Sequence, residues 1–234
     1  MIFEGIRRAP HPPRPYCCRL ALRGGRAVRL HDNAQAAPAA PGDTVTLPVR
    51  DALQALPVQE ESRAGYTRDK FRHWNAGRLA DGCDTRAEVL KSEAVTAPEE
   101  EAKCVLTGGL WYSAYDDLYL DSAHKLDVDH LVPLAEAWDS GASGWSAKER
   151  EAYANDQDDP RALIAVSASS NRAKSDKGPG NWLPTFEGYR CQYVTDWVAD
   201  KTRYGLSVDV SEEAALSQTL SRCPNEPVTV TLAR

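Results

Sequence analysis

The chain has 234 residues, 42% of them hydrophobic and 26% charged, which suffices for one domain with an ordinary core. No apolar run reaches the length of a membrane-crossing helix, so no helical span is expected. The formal net charge is −6, and residues 51 to 234 carry 20 Lys and Arg against 31 Asp and Glu, so a phosphate-rich partner would need a local basic track and a cation. Candidates for that track are Arg161, Arg172, Lys174 and Lys177, with Arg63, Arg68, Lys70, Arg72 and Arg86 upstream.

Residues 1 to 45 are rich in Arg, Pro and Ala and lack the apolar stretch of a signal peptide, so they read as disordered or as the product of a wrongly placed start. The small-residue run from Ala34 to Pro41 is similar to the surroundings of a signal-peptidase site, which implies that the true signal is missing. The folded region is expected over 46–234. Val49 to Leu56 predicts a short helix, and residues 60 to 78, with Tyr66, Phe71, His73 and Trp74 among charges, predict a packed irregular segment. Thr85-Arg-Ala-Glu88 has the pattern of a capping box opening a helix to about Glu93. Cys104 to Thr107 and Leu110 to Ala114 read as strands joined by a Gly108-Gly109 hairpin turn, with a further strand at Leu118 to Leu120.

A short apolar run then ends in Asp127-Val-Asp129-His130-Leu-Val-Pro133, and a helix is predicted from Pro133 to about Asp139 with Gly141 as its C-cap. Ser146-Ala-Lys-Glu149 is a second capping box, opening a helix to about Ala154. Ala162 to Val166 reads as a buried strand, and Ser169 or Ser170 caps a short helix carrying Asn171 and Lys174, stopped by Gly178-Pro179-Gly180. Tyr189, Tyr193, Val194, Trp197 and Val198 mark an amphipathic helix ending at Gly205, and Glu212 to Arg222 a second; together they form a C-terminal helical pair over about 186–223.

Two consecutive helices joined by a short link pack antiparallel, which brings Cys191 to Cys223 and leaves Cys83 to pair with Cys104. Paired thiols imply an oxidising compartment, and none of the six cysteines sits in a CxxC pair or beside a histidine, so a zinc knuckle is not expected. The competing reading is four buried free cysteines in a cytosolic protein.

The chemistry concentrates at Asp129, His130 and Asn171. Adjacent strand residues face opposite ways, so Asp129 and His130 serve one site only where the strand bends, and Pro133 supplies the bend. An imidazole that is largely neutral at physiological pH suits a general base, and a carboxylate with an amide oxygen suits a hard cation that keeps several waters. The run Asp-Val-Asp-His-Leu-Val-Pro followed by Ser-Asn-Arg-Ala-Lys-Ser-Asp resembles the HNH (ββα-metal, His-Me finger) endonucleases, most closely the secreted actinobacterial ones, and also the HNH domain of the RNA-guided CRISPR nucleases. Cys83-Asp-Thr-Arg86, Trp138-Asp-Ser-Gly141 and Asn181-Trp-Leu-Pro184 extend the resemblance to roughly residues 62 to 223.

The resemblance implies an α+β fold: a ββα-metal finger, a β-hairpin plus short helix over about 104–178, embedded in a mainly helical single domain. It implies His130 as general base, Asp129 and Asn171 as ligands of one divalent cation (Mg²⁺ ahead of Mn²⁺), and Arg86, Arg172 and Lys174 as substrate contacts. Many HNH proteins place a further Asn on the second strand to orient the base; here that neighbourhood is Arg161-Ala-Leu163, so the group that orients His130 is open. The expected activity is secreted, monomeric, metal-dependent hydrolysis of nucleic acid, DNA ahead of RNA, with little sequence specificity because no base-reading module is present. The alternatives are an inactive extracellular binding module of the same fold and a phosphodiesterase acting on small nucleotides. Glu136 is expected to face either the site or water, His73 and His124 to be packed or exposed, and the tryptophans to be core.

Overall fold

The computed structural model describes residues 39–75, 77–79 and 81–234; the expectations for the chain before residue 39, Cys17 and Cys18 among them, lie outside the described residues. In chain order the elements are β1 (Thr44–Pro48), α1 (Val49–Ala55), α2 (Thr85–Ser92), β2 (Glu99–Glu100), β3 (Leu106–Thr107), β4 (Trp111–Ser113), β5 (Leu118–Leu120) and β6 (Leu126–His130). They continue with α3 (Leu134–Asp139), α4 (Ala147–Ala154), β7 (Leu163–Ser167), α5 (Ala168–Lys174), α6 (Arg190–Tyr204), α7 (Val210–Leu220) and β8 (Pro227–Thr231). The class is α+β, with four two-stranded antiparallel sheets among the described residues.

β6 and β7 pair antiparallel from Leu126 opposite Ser167 to His130 opposite Leu163, and α5 follows β7 directly and packs on both strands. The helices α3 and α4 fill the crossing between the two strands, as the order of caps predicts. Ser146 opens α4 with both halves of a capping box: its hydroxyl accepts from the Glu149 amide and its own amide donates to the Glu149 carboxylate. α5 starts two residues earlier than expected, because the Ser167 hydroxyl accepts from the Ser170 amide.

Two local expectations fail. Asp84, not a Thr85-led box, caps α2, since its carboxylate accepts from the Ala87 amide, and Glu88 turns instead to the amides of Arg78 and Leu79. The Gly108-Gly109 pair is not a hairpin turn: β3 pairs back with β2 and β4 pairs forward with β5, so the turn falls at residues 114 to 117, with Asp117 in the left-handed region (φ 56°). The pairing of β1 with β8 has no signature in the local pattern, and β1 begins at Thr44, within the stretch expected to be unstructured.

The main core is built on α6, whose Tyr193, Val194, Trp197 and Val198 recur at helical spacing and are fully buried against α1, α3, α7 and β8. A smaller cluster beneath α2, β4, β6 and β7 includes Leu90, Trp111, Leu126 and Leu163. Both disulfides join as expected, Cys83 to Cys104 and Cys191 to Cys223, each with Cα atoms 5.5 Å apart. They close segments of 21 and 32 residues, for which the loop-closure account gives about 3–4 kcal/mol each. Urea unfolding with and without a reductant should show that loss.

Glu93, just past α2, accepts from the Ala165 amide of β7 at 2.8 Å, and burial pushes its carboxyl up to about 7. A folded-state value above the unfolded one means that the folded chain binds more protons between about 4.5 and 7, so its stability falls as pH rises through that window. Glu93→Gln is expected to flatten that part of the stability profile, by up to a few kcal/mol, in denaturant titrations at pH 5 and pH 8.

Candidate active site

Side chains on β6 alternate, so Asp127 and Asp129 face α5 while Val128 and His130 face the other way. His130 is the last residue of the strand, and the chain turns there toward Pro133. An open cleft of about 460 Å³ therefore runs past the strand end and is lined by both Asp129 and His130, with Asn171 and Arg172 from α5 and Tyr66 and Arg68 from the irregular segment opposite.

His130 is 6% exposed. Its Nε2 lies 2.9 Å from the Ala154 carbonyl at the end of α4. A carbonyl only accepts, so in the neutral ring Nε2 carries the proton and Nδ1 keeps its lone pair. The Ala154 carbonyl thus fixes the orientation of the ring. Trp74, itself in the left-handed region (φ 56°), stacks on the imidazole with ring centroids 5.2 Å apart, and His73 meets it edge-on. Burial pushes the His130 imidazole down to about 3, and the positive charge of Arg68 acts in the same direction. The ring is accordingly neutral across the ordinary pH range.

Asp129 is buried, and its carboxylate is held by the Tyr115 hydroxyl at 2.7 Å and the Lys174 ammonium at 2.7 Å, which also donates to the His130 carbonyl at 3.0 Å. Burial pushes the Asp129 carboxyl above its ordinary range, while Lys174 and Tyr115 pull it back. Asn171 donates its amide to Asp127 Oδ2 at 3.2 Å, which leaves its oxygen without a hydrogen bond among the described residues. A carboxylate and an unengaged amide oxygen on one cleft are hard donors of the kind that suit Mg²⁺ or Mn²⁺.

Two expected substrate contacts are placed elsewhere. Lys174 is fully buried, because the last turn of α5 points it inward at Asp129, so it does not face the cleft as a phosphate contact. Arg86 sits at the opposite end of β6, where its guanidinium donates to the Leu126 carbonyl at 3.0 Å, and it does not line the cleft. Arg172 does line it and is well exposed. Glu136 does not line the cleft and turns instead to the buried Lys201 ammonium, at 2.7 Å. Sequence reasoning missed Tyr115 and Trp74, whose aromatic side chains carry no local sign that they would pack on Asp129 and His130.

Residues 84–219 match the family described as GmrSD restriction endonucleases, C-terminal domain. The chain belongs to this family. The match spans α2 through β6, β7 and α5 to most of α7, and so takes in every residue of the cleft except those of the irregular segment before α2. An "Uncharacterized secreted protein" of Arthroderma benhamiae is 40% identical over 172 residues, covering 73% of this chain and 82% of that protein. No solved structure matches. Membership of a restriction-endonuclease family gives a nuclease-type domain, and two disulfides fit an extracellular protein.

Proposed function

We propose that this chain is a secreted, metal-dependent endonuclease of the HNH type, hydrolysing nucleic-acid phosphodiester bonds with little sequence specificity. The observation that carries the reading is His130: a neutral imidazole, its Nε2 committed to the Ala154 carbonyl, on the same cleft as Asp129 and Asn171. In this reading Nδ1 of His130 takes the proton of the attacking water. Asp129 and Asn171 hold the cation, which supplies positive charge at the scissile phosphate and the leaving oxygen. Tyr115 and Lys174 fix the Asp129 carboxylate, while Trp74 and Ala154 fix the imidazole plane and tautomer.

Arg68 and Arg172 are the cleft's phosphate contacts, one on each wall. Contacts with backbone phosphates position a strand without reading its bases, in keeping with low specificity. Arg68→Ala and Arg172→Ala should each weaken DNA binding uniformly across sequences and reduce the log–log salt slope by about 1. The narrower placement among actinobacterial nucleases rests on the sequence resemblance, and extracellular location is supported by the disulfides and by the name of the Arthroderma relative.

The test is incubation with supercoiled plasmid and with RNA, with Mg²⁺, with Mn²⁺ and with EDTA. Nicking that needs the cation supports the reading, and the two substrates separate DNA from RNA. Cleavage undiminished in EDTA, or retention of DNA without any cleavage, counts against it.

A further inference from the structure

A second set of oxygen donors lies on α3, and the cleft does not use it. Glu136 and Asp139 are three residues apart on that helix and so share a face, and Glu61 approaches from the irregular segment before α2. The three residues each bring one carboxylate oxygen within 4.8 Å of the other two. Their side chains are 9%, 9% and 16% exposed respectively. Glu212 of α7 borders the same group through Lys201, whose ammonium lies 2.7 Å from Glu136, 2.5 Å from Glu212 and 3.7 Å from Glu61.

Lys201 does not balance this group. Four carboxylates face Lys201 and Arg63, and Arg63 divides itself between Asp139 at 2.6 Å and Asp176 at 2.7 Å. An independent observation points the same way: among the described residues, Oδ1 of Asp139 is buried and has no hydrogen-bond partner, and Oε1 of Glu61 has only its 3.7 Å ion pair with Lys201. A buried carboxylate oxygen without a partner carries its full desolvation cost. A proton on Glu61 shared with Glu136 would remove one charge and leave the Asp139 oxygen orphaned. A cavity of about 90 Å³ opens beside Glu61 and Glu136 and is lined further by Asn181, Asp209 and Ser211, which adds oxygen donors and room for water.

We propose that Glu61, Glu136 and Asp139 form a structural site for a hard divalent cation of the calcium class, separate from the cleft. Calcium tolerates an irregular set of carboxylate, carbonyl and water oxygens, whereas Mg²⁺ demands a near-octahedral one. The site ties the segment that carries Tyr66 and Arg68 to α3, whose Leu134 and Ala135 also line the cleft. It does not depend on the nuclease reading.

The test uses the Asn171→Ala variant of the full chain, which removes the cation ligand assigned to the cleft. Calcium chloride titrated calorimetrically into it should report one ion with a Kd of about 10⁻⁴–10⁻³ M, the range of extracellular calcium modules. Glu61→Gln and Asp139→Asn, each added to that background, should weaken binding at least tenfold. Thermal unfolding supplies a second readout: in excess EDTA Glu61→Gln should unfold no earlier than its parent, because a like-charge contact has been relieved, whereas in excess calcium it should unfold earlier. A calcium-silent Asn171→Ala protein, undiminished binding by the two carboxamide variants, or equal destabilisation of Glu61→Gln in both media overturns the site.

Discussion

His130→Ala is expected to slow plasmid nicking by about 10²–10⁴-fold, the usual contribution of a positioned general base, while cation and DNA binding change little. The reason is geometric. The ring is held by the Ala154 carbonyl and Trp74, neither of which touches the proposed cation ligands, so its removal leaves Asp129 clamped by Tyr115 and Lys174. Asn171→Ala makes the contrasting variant: it should lose both cleavage and cation affinity, read as Mn²⁺ binding by calorimetry. Asp129 is the poorer choice for that comparison because its carboxylate also neutralises a buried lysine. A His130→Ala protein that nicks plasmid at the wild-type rate would remove the imidazole from the mechanism altogether.

How much of this site was legible in the sequence depends on the range over which each contact is made. The strand, the bend at Pro133 and the capped helix behind Asn171 are written within a few residues each, so the order of β6, β7 and α5 could be read from alternation and caps. Contacts across the fold left no such mark. Tyr115 meets Asp129 from the turn after β4, Trp74 reaches His130 from an irregular loop, and β1 finds β8 across most of the chain. The error over Gly108-Gly109 has the same origin: two glycines with positive φ satisfy a local hairpin rule, yet the pairing is decided by which strand already lies alongside. The resemblance implies Lys174 as a phosphate contact, but its position on α5 turns it inward, where Asp129 compensates its burial.

Lys174→Met should therefore lower stability by about 3–5 kcal/mol, the usual cost of leaving one partner of a buried ion pair alone. The substitution keeps much of the side-chain volume, so the loss would report charge and hydrogen bonding more than a cavity: Asp129 would remain buried with only the Tyr115 hydroxyl as donor, and the His130 carbonyl would lose its contact. Urea unfolding above pH 6, where the unfolded-state carboxyl is ionised, should show the full effect. A phosphate-contacting lysine predicts the reverse pattern, namely unchanged stability and a shallower salt dependence of DNA binding. The two roles are separated further by adding Asp129→Asn to Lys174→Met, which removes both charges. If the lysine serves Asp129, the double variant should recover a large part of the lost stability, because neither member of the pair is left as a lone buried charge. Additive losses in the double variant would show that the two side chains act independently.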